Sequence, residues 1–146
     1  MPPALSYPAT RYDPALLVDL SDPAERERLS PAAVRVFLNI MDRWGVRDED
    51  ARRLLRGMSN GAFYAMKKDP GRGALDEDKL ARISYLVGIF KALNILHGET
   101  LADRWMTLPN KNRIFGGLTP VKYLVRGGLP AFQKVRRLLD ARRGGV

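Results

Sequence analysis

Residues 48–68, DEDARRLLRGMSNGAFYAMKK, restrict the fold of this chain more than any other stretch. Asp48 is placed to cap a short helix by accepting from an orphan backbone N–H, and Glu49 and Asp50 fall at its positive end. Ala51, Leu54 and Leu55 recur at i, i+3, i+4 and make one apolar face. Gly57 supplies the positive φ at which helices commonly end. Ser59 or Asn60 then caps a second helix, with Ala62, Phe63 and Met66 on one side and Asn60, Tyr64, Lys67 and Lys68 on the other. Two amphipathic helices joined at a glycine also occur as plain packing units. A helix-turn-helix needs the same pair, with polar and cationic side chains on the second helix for the major groove. Between Arg52 and Arg72 six basic residues face one acid, Asp69, which is the footprint of phosphate neutralisation. On this reading Ser59, Asn60, Tyr64 and Lys67 meet bases, while Arg52, Arg53 and Lys68 lie on phosphates.

The net charge of +9 is unevenly placed. Residues 1–103 carry 15 basic and 15 acidic side chains, whereas residues 104–146 carry 10 basic and only Asp140. A DNA-binding protein alone would concentrate its surplus on the helix-turn-helix. Here the surplus lies elsewhere and implies a second partner or a second nucleic-acid surface.

The chain has no cysteine, which excludes disulfides, thiol nucleophiles and cysteine-held metals. Its one histidine, His97, ends an apolar helix and suits the negative helix end better than catalysis or metal binding. No cofactor is expected. The N-terminus lacks the apolar run of a signal peptide, and the longest apolar stretch, near Tyr85–Phe90, is far short of a membrane span. A soluble, cytoplasmic protein without a membrane partner is the expectation.

Residues 1–29 hold five of the ten prolines and read as an extended arm, with short helical turns at most near Ala15–Leu20 and Ala24–Leu29. Ser30-Pro31 reads as a cap and first turn, opening a helix that carries Val34, Phe37, Leu38, Met41 and Trp44 inward and stops at Gly45. This helix and the following pair make a domain over residues 30–75. The longest helix runs from the Asp76 cap to His97; its apolar residues cover more than one face, so it is buried on two sides. It is a core helix joining both halves or, in addition, a subunit interface built on Ile83, Leu86, Val87 and Phe90. Gly88 in its middle points to a close approach there. A short tryptophan helix (Leu101, Ala102, Trp105, Met106) follows, then a Pro-Asn loop with Gly116-Gly117. Next come a Thr119-Pro120 helix ending at Gly127-Gly128 and a basic helix from Pro130.

Three of these stretches make the sequence resemble a known family: LLRGMSNGAFYAMKK (54–68), LARISYLVGIFKALNIL (80–96) and the run from Leu101 to Gly145. They look like the antitoxins of the Xre/MbcA/ParS group, particularly those encoded beside RES-domain toxins. The specific part is the last run, with its tryptophan helix, Pro-Asn loop, two Gly-Gly pairs and leucine-rich basic helix in that order. Met66 departs from the pattern, standing where many relatives carry an aromatic residue. The resemblance implies an all-α protein. Its N-terminal helix-turn-helix domain binds operator DNA, the central helix 76–98 dimerises, and a small helical domain, 99–146, binds the toxin. RES-domain toxins degrade NAD, so neutralisation protects the NAD pool. On this reading the basic helix and tail dock on the toxin, with Arg136, Arg137, Arg142 and Arg143 pairing with its carboxylates. Lys134, Asp140 and Gly144 belong to the same surface.

The rival is a helix-turn-helix transcriptional regulator whose C-terminal part binds a small effector between the Pro-Asn loop and the Gly-Gly hinges. An enzyme is disfavoured: no nucleophile–base pair, metal cluster or phosphate loop after a strand is legible.

Overall fold

The computed structural model describes residues 19–143; most of the arm expected over 1–29 lies outside them, as does Gly144. The described residues form helices α1 (Pro23–Trp44), α2 (Asp48–Leu54), α3 (Asn60–Lys68), α4 (Glu77–Leu96), α5 (Glu99–Trp105), α6 (Pro120–Gly127) and α7 (Leu129–Arg143). A single 3-10 turn (Arg113–Phe115) joins α5 to α6, and there is no strand among the described residues.

Local chemistry explains most helix starts. Ser59 accepts from the Ala62 N–H at 3.1 Å to open α3, and Asp76 accepts from the Lys79 N–H at 2.8 Å to open α4. Thr119 caps α6 with Pro120 in its first turn, as the sequence predicts. Gly45 ends α1 in the left-handed region at φ 67°.

Two expected starts move. The first helix begins at Pro23, capped by Asp22, rather than at Ser30-Pro31. Ser30 falls in register with Val34, Phe37, Met41 and Trp44, so it belongs to the buried face of α1. There its hydroxyl donates to Arg26 O and accepts from the Leu75 N–H at 2.8 Å, tying the segment before α4 to α1. Likewise Asp48 is the first residue of α2 rather than its cap; Arg47 holds the cap position without a side-chain bond.

Helix α4 lies between α1 and α7, which cover its two sides. Leu80, Ile83, Leu86, Ile89, Ala92 and Leu93 are buried along it. One apolar cluster runs from Val34 through Leu54, Leu86 and Leu124 to Leu139, so front and back halves share a core. Each fully enclosed large side chain in it adds roughly 1.5–3 kcal/mol. At Gly88 the close neighbour is a side chain: a Cβ would fall 1.1 Å from Nη1 of Arg136, so glycine is required for that guanidinium to lie across α4.

Candidate DNA-binding and partner-binding surfaces

The α2–α3 pair is held by polar bonds as well as by Leu54, Leu55, Phe63 and Met66. Asp48 accepts from Lys67 Nζ at 3.0 and 3.1 Å, joining the start of α2 to the end of α3. Arg52 Nη1 donates to Met58 O at 2.9 Å and braces the turn. Within that turn Arg56 and Gly57 are both left-handed, at φ 50° and 69°. Glycine adopts this region freely; Arg56 does so at a steric cost, and nothing in its residue type announces it.

These bonds sort the expected DNA contacts. Ser59, Asn60, Tyr64 and Lys68 are exposed, and Tyr64 keeps 61% of its surface in solvent. They form a contiguous polar face at the start and along the outside of α3. Lys67, expected on bases, is instead paired with Asp48 and lies 5.9 Å from the Phe63 ring. Arg52 is half-buried against the turn, and Arg53 is exposed but paired with Glu49 at 2.9 Å.

The back half is built on an edge-to-face stack, Trp105–Phe115–Tyr123, with ring separations of 5.7 and 5.3 Å. Helix α7 packs on α4 and α6 and buries Ala131, Phe132, Val135 and Leu139. Lys134, Arg137, Arg142 and Arg143 of α7 are exposed. Asp140 accepts from Arg136 Nε at 2.8 Å and stands 3.8 Å from Arg143. Arg136 is thus held between Asp140 and the Gly88 notch, less available than the sequence suggests. Lys134, Arg137 and Arg142 form no ion pair among the described residues.

Three charged side chains that periodicity did not single out join the halves. Asp50, 6% exposed, accepts from Lys122 Nζ at 2.8 and 3.0 Å, linking α2 to α6. Arg82, 5% exposed, donates to Asp78 at 2.9 Å and to Leu54 O at 3.2 Å, and its guanidinium lies over Phe132. Arg43, at the end of α1, pairs with Glu99 at 2.8 Å and Asp103 at 3.1 Å. The hydrogen bond to Asp103 raises the Arg43 pKa by more than desolvation lowers it, and the charges of Asp103 and Glu99 add to the rise. A signal was present for two of them. Asp50 stands four residues before Leu54, and Arg82 stands in register with Leu86, Ile89 and Leu93, so both occupy apolar faces.

The subunit face expected on α4 is largely occupied. Ile83 and Leu86 are enclosed by their own chain, and Val87 and Phe90 are half-buried in the same core. The two-sided burial read from the sequence is met by α1 and α7 of the same molecule. Among the described residues no group of three or more His, Cys, Asp or Glu side chains is placed to hold a metal, and no helix is long and apolar enough to cross a membrane.

A short helix pair with an exposed polar second helix, followed by a helical unit ending in a cation-rich helix, defines a helix-turn-helix protein with an appended interaction domain. Residues 23–88 match the antitoxin Xre-like helix-turn-helix domain, and residues 91–145 match the antitoxin Xre/MbcA/ParS C-terminal toxin-binding domain. The uncharacterized protein y4oB of Sinorhizobium fredii (strain NBRC 101917 / NGR234) is 34% identical over 126 residues, 86% of this chain and 95% of its own length. No solved structure matches significantly. The chain belongs to the Xre/MbcA/ParS antitoxins, with the helix-turn-helix domain first and the toxin-binding domain after it.

Proposed function

We propose that this antitoxin neutralises a RES-domain, NAD-degrading toxin through its C-terminal domain and represses its own operon by binding operator DNA through α3. The observation that carries the toxin half is the set of exposed cations on α7, Lys134, Arg137 and Arg142, which have no acidic partner among the described residues. Arginine suits bidentate pairing with a partner's carboxylates. Arg136 and Arg143 stand beside Asp140 and exchange that partner for a toxin carboxylate on docking. Gly144, outside the described residues, is assigned to the same toxin-binding role.

On the DNA side, Ser59, Asn60 and Tyr64 read base edges, and Lys68 and Arg53 lie on phosphates. Lys67 and Arg52 act one step back, fixing α3 against α2. Two chains on a two-fold operator make the working unit. With Ile83 and Leu86 enclosed, the exposed Ile95 and Leu101 are apolar side chains open to a second copy.

Co-expression with the product of the adjacent gene tests the reading, scoring growth, intracellular NAD and co-purification together. Growth rescue, a restored NAD pool and a stable complex are the expected outcome. A partner that co-purifies without any effect on NAD would overturn the RES assignment. In operator binding, Asn60→Ala relaxes sequence preference, whereas Lys68→Ala weakens binding to all duplexes and reduces the salt slope by about one. Unchanged operator affinity in both variants at low salt would remove α3 as the reader.

A further inference from the structure

Where the turn after α2 meets the start of α7, the chain forms a cleft of about 350 Å³ with four arginines in its wall. Arg53 and Arg56 come from α2 and its turn, Arg82 from α4 and Arg126 from α6, and no carboxylate lines it among the described residues. Arg53 and Arg82 have acidic partners outside the lining, Glu49 and Asp78, while Arg56 and Arg126 form no ion pair among the described residues. Guanidinium groups gathered around one opening repel each other, and an anion between them removes that repulsion.

Two further features favour an anion. Arg82 is 5% exposed; its Nε and Nη1 are engaged by Asp78 and Leu54 O, and Nη2 stands 3.8 Å from where a Cβ on Gly128 would lie. Gly128 is at φ 65°, a backbone conformation that favours glycine, and it lies in ordinary contact distance of Arg82. The same wall carries the positive end of the 15-residue helix α7, whose first turn holds no acidic side chain.

We propose that this cleft binds a phosphoryl group. Its arginines come from three helices and a turn, so they approach an anion from several directions. A tetrahedral phosphate or a pyrophosphate offers oxygens along each of them, whereas a planar carboxylate offers two in one plane. The group comes from a free nucleotide-type ligand or from the DNA backbone, since the cleft borders the turn that leads into α3. Either source couples the two halves, because Arg53 and Arg56 belong to the helix-turn-helix and Arg126 and Gly128 to the toxin-binding domain.

The test uses the full chain and inorganic pyrophosphate, read by titration calorimetry and thermal unfolding at constant ionic strength. Pyrophosphate is expected to bind and raise Tm more than sulfate or chloride does. Arg56→Gln with Arg126→Gln weakens that binding at least about tenfold, one lost charge-assisted pair being enough. The ligand-free Tm of this double variant does not fall below the wild-type value, since two repelling charges are removed. Lys111→Gln with Arg113→Gln, outside the cleft, leaves pyrophosphate affinity unchanged. If the natural source is the DNA backbone, pyrophosphate competes with duplex and the Arg56/Arg126 variant lowers the salt slope by about two. If it is a free ligand, the slope is kept. Equal pyrophosphate affinity in wild type and the Arg56/Arg126 variant overturns the proposal, as does absence of binding to either. Stronger protection by an oligoglutamate peptide of equal charge also overturns it, in favour of an acidic protein segment.

Discussion

Along α2 and α3 the fold itself engages much of the basic charge: Lys67 is paired with Asp48, Arg53 with Glu49, and Arg52 is bonded to the Met58 carbonyl. Along α7 a single carboxylate, Asp140, serves Arg136 and stands near Arg143, and Lys134, Arg137 and Arg142 are exposed without an acidic partner among the described residues. The two basic surfaces therefore differ in where their counter-charges come from. A helix that reads base edges must hold one orientation, and internal ion pairs help fix it, with phosphates needing few extra cations. A surface that meets another protein gains more from cations left free, because they steer encounter and find their acids only at the interface.

The two surfaces lie on halves that share one apolar core, and the first way to break the contrast is to separate the halves. Phe132 is fully buried in α7 beneath Arg82, which reaches back to α2. Phe132→Ala is expected to cost about 3–5 kcal/mol, with front and back unfolding in one transition by circular dichroism and calorimetry. A front half that stays folded while the back melts would make them independent units. Next in size is the Asp50–Lys122 pair. Lys122→Met leaves the Asp50 carboxylate buried without its partner, and because Lys122 is itself half in solvent the cost is about 2 kcal/mol. Asp50→Asn with Lys122→Met recovers part of that loss in denaturant titration.

Smaller again is the cap of the shared helix α4, where Asp76→Ala is expected to cost about 1 kcal/mol. Burial pushes the Asp76 carboxyl up, but the hydrogen bonds from Lys79 Nζ and its backbone N–H, with the Lys79 and Arg26 charges, outweigh it and hold the pKa below its ordinary 3.8. A depressed carboxyl stabilises the fold fully above the unfolded value and ceases to do so as pH falls through the folded one. The wild-type advantage over Asp76→Ala should thus be constant from neutral pH down to about 4 and shrink only below that. A difference that shrinks between pH 7 and 5 would assign the stabilisation to another group.

What was legible in the sequence was local. Ser59, Asp76, Thr119-Pro120 and Gly45 act within one turn of their own position, and their chemistry can be read without knowing the fold. Ser30, Asp50 and Arg82 bond to groups 45, 72 and 28 residues away, so residue type alone pointed Ser30 to a cap and Asp50 to a helix end, and did not single out Arg82. Their positions on apolar faces were the only hint. The same limit shifted the surfaces: the acidic partners of Lys67 and Arg136 were visible in the sequence, but which cations they would occupy depended on how α2 meets α3 and on the Gly88 notch. Ile83 and Leu86 were read as buried, in a core helix or in a subunit interface as well, and that α1 and α7 of the same molecule cover them was not legible, because it depends on how distant helices pack.

The α7 cations that have no acidic partner among the described residues carry the division of labour between the two surfaces. Lys134, Arg137 and Arg142 can be changed together to glutamate, since all three are exposed, and the protein assayed for inhibition of the adjacent gene's product and for operator binding. The expected result is loss of toxin inhibition and of co-purification, with operator affinity at fixed salt within about twofold of wild type. Full neutralisation by the triple variant, or a collapse of operator binding with inhibition intact, would contradict it.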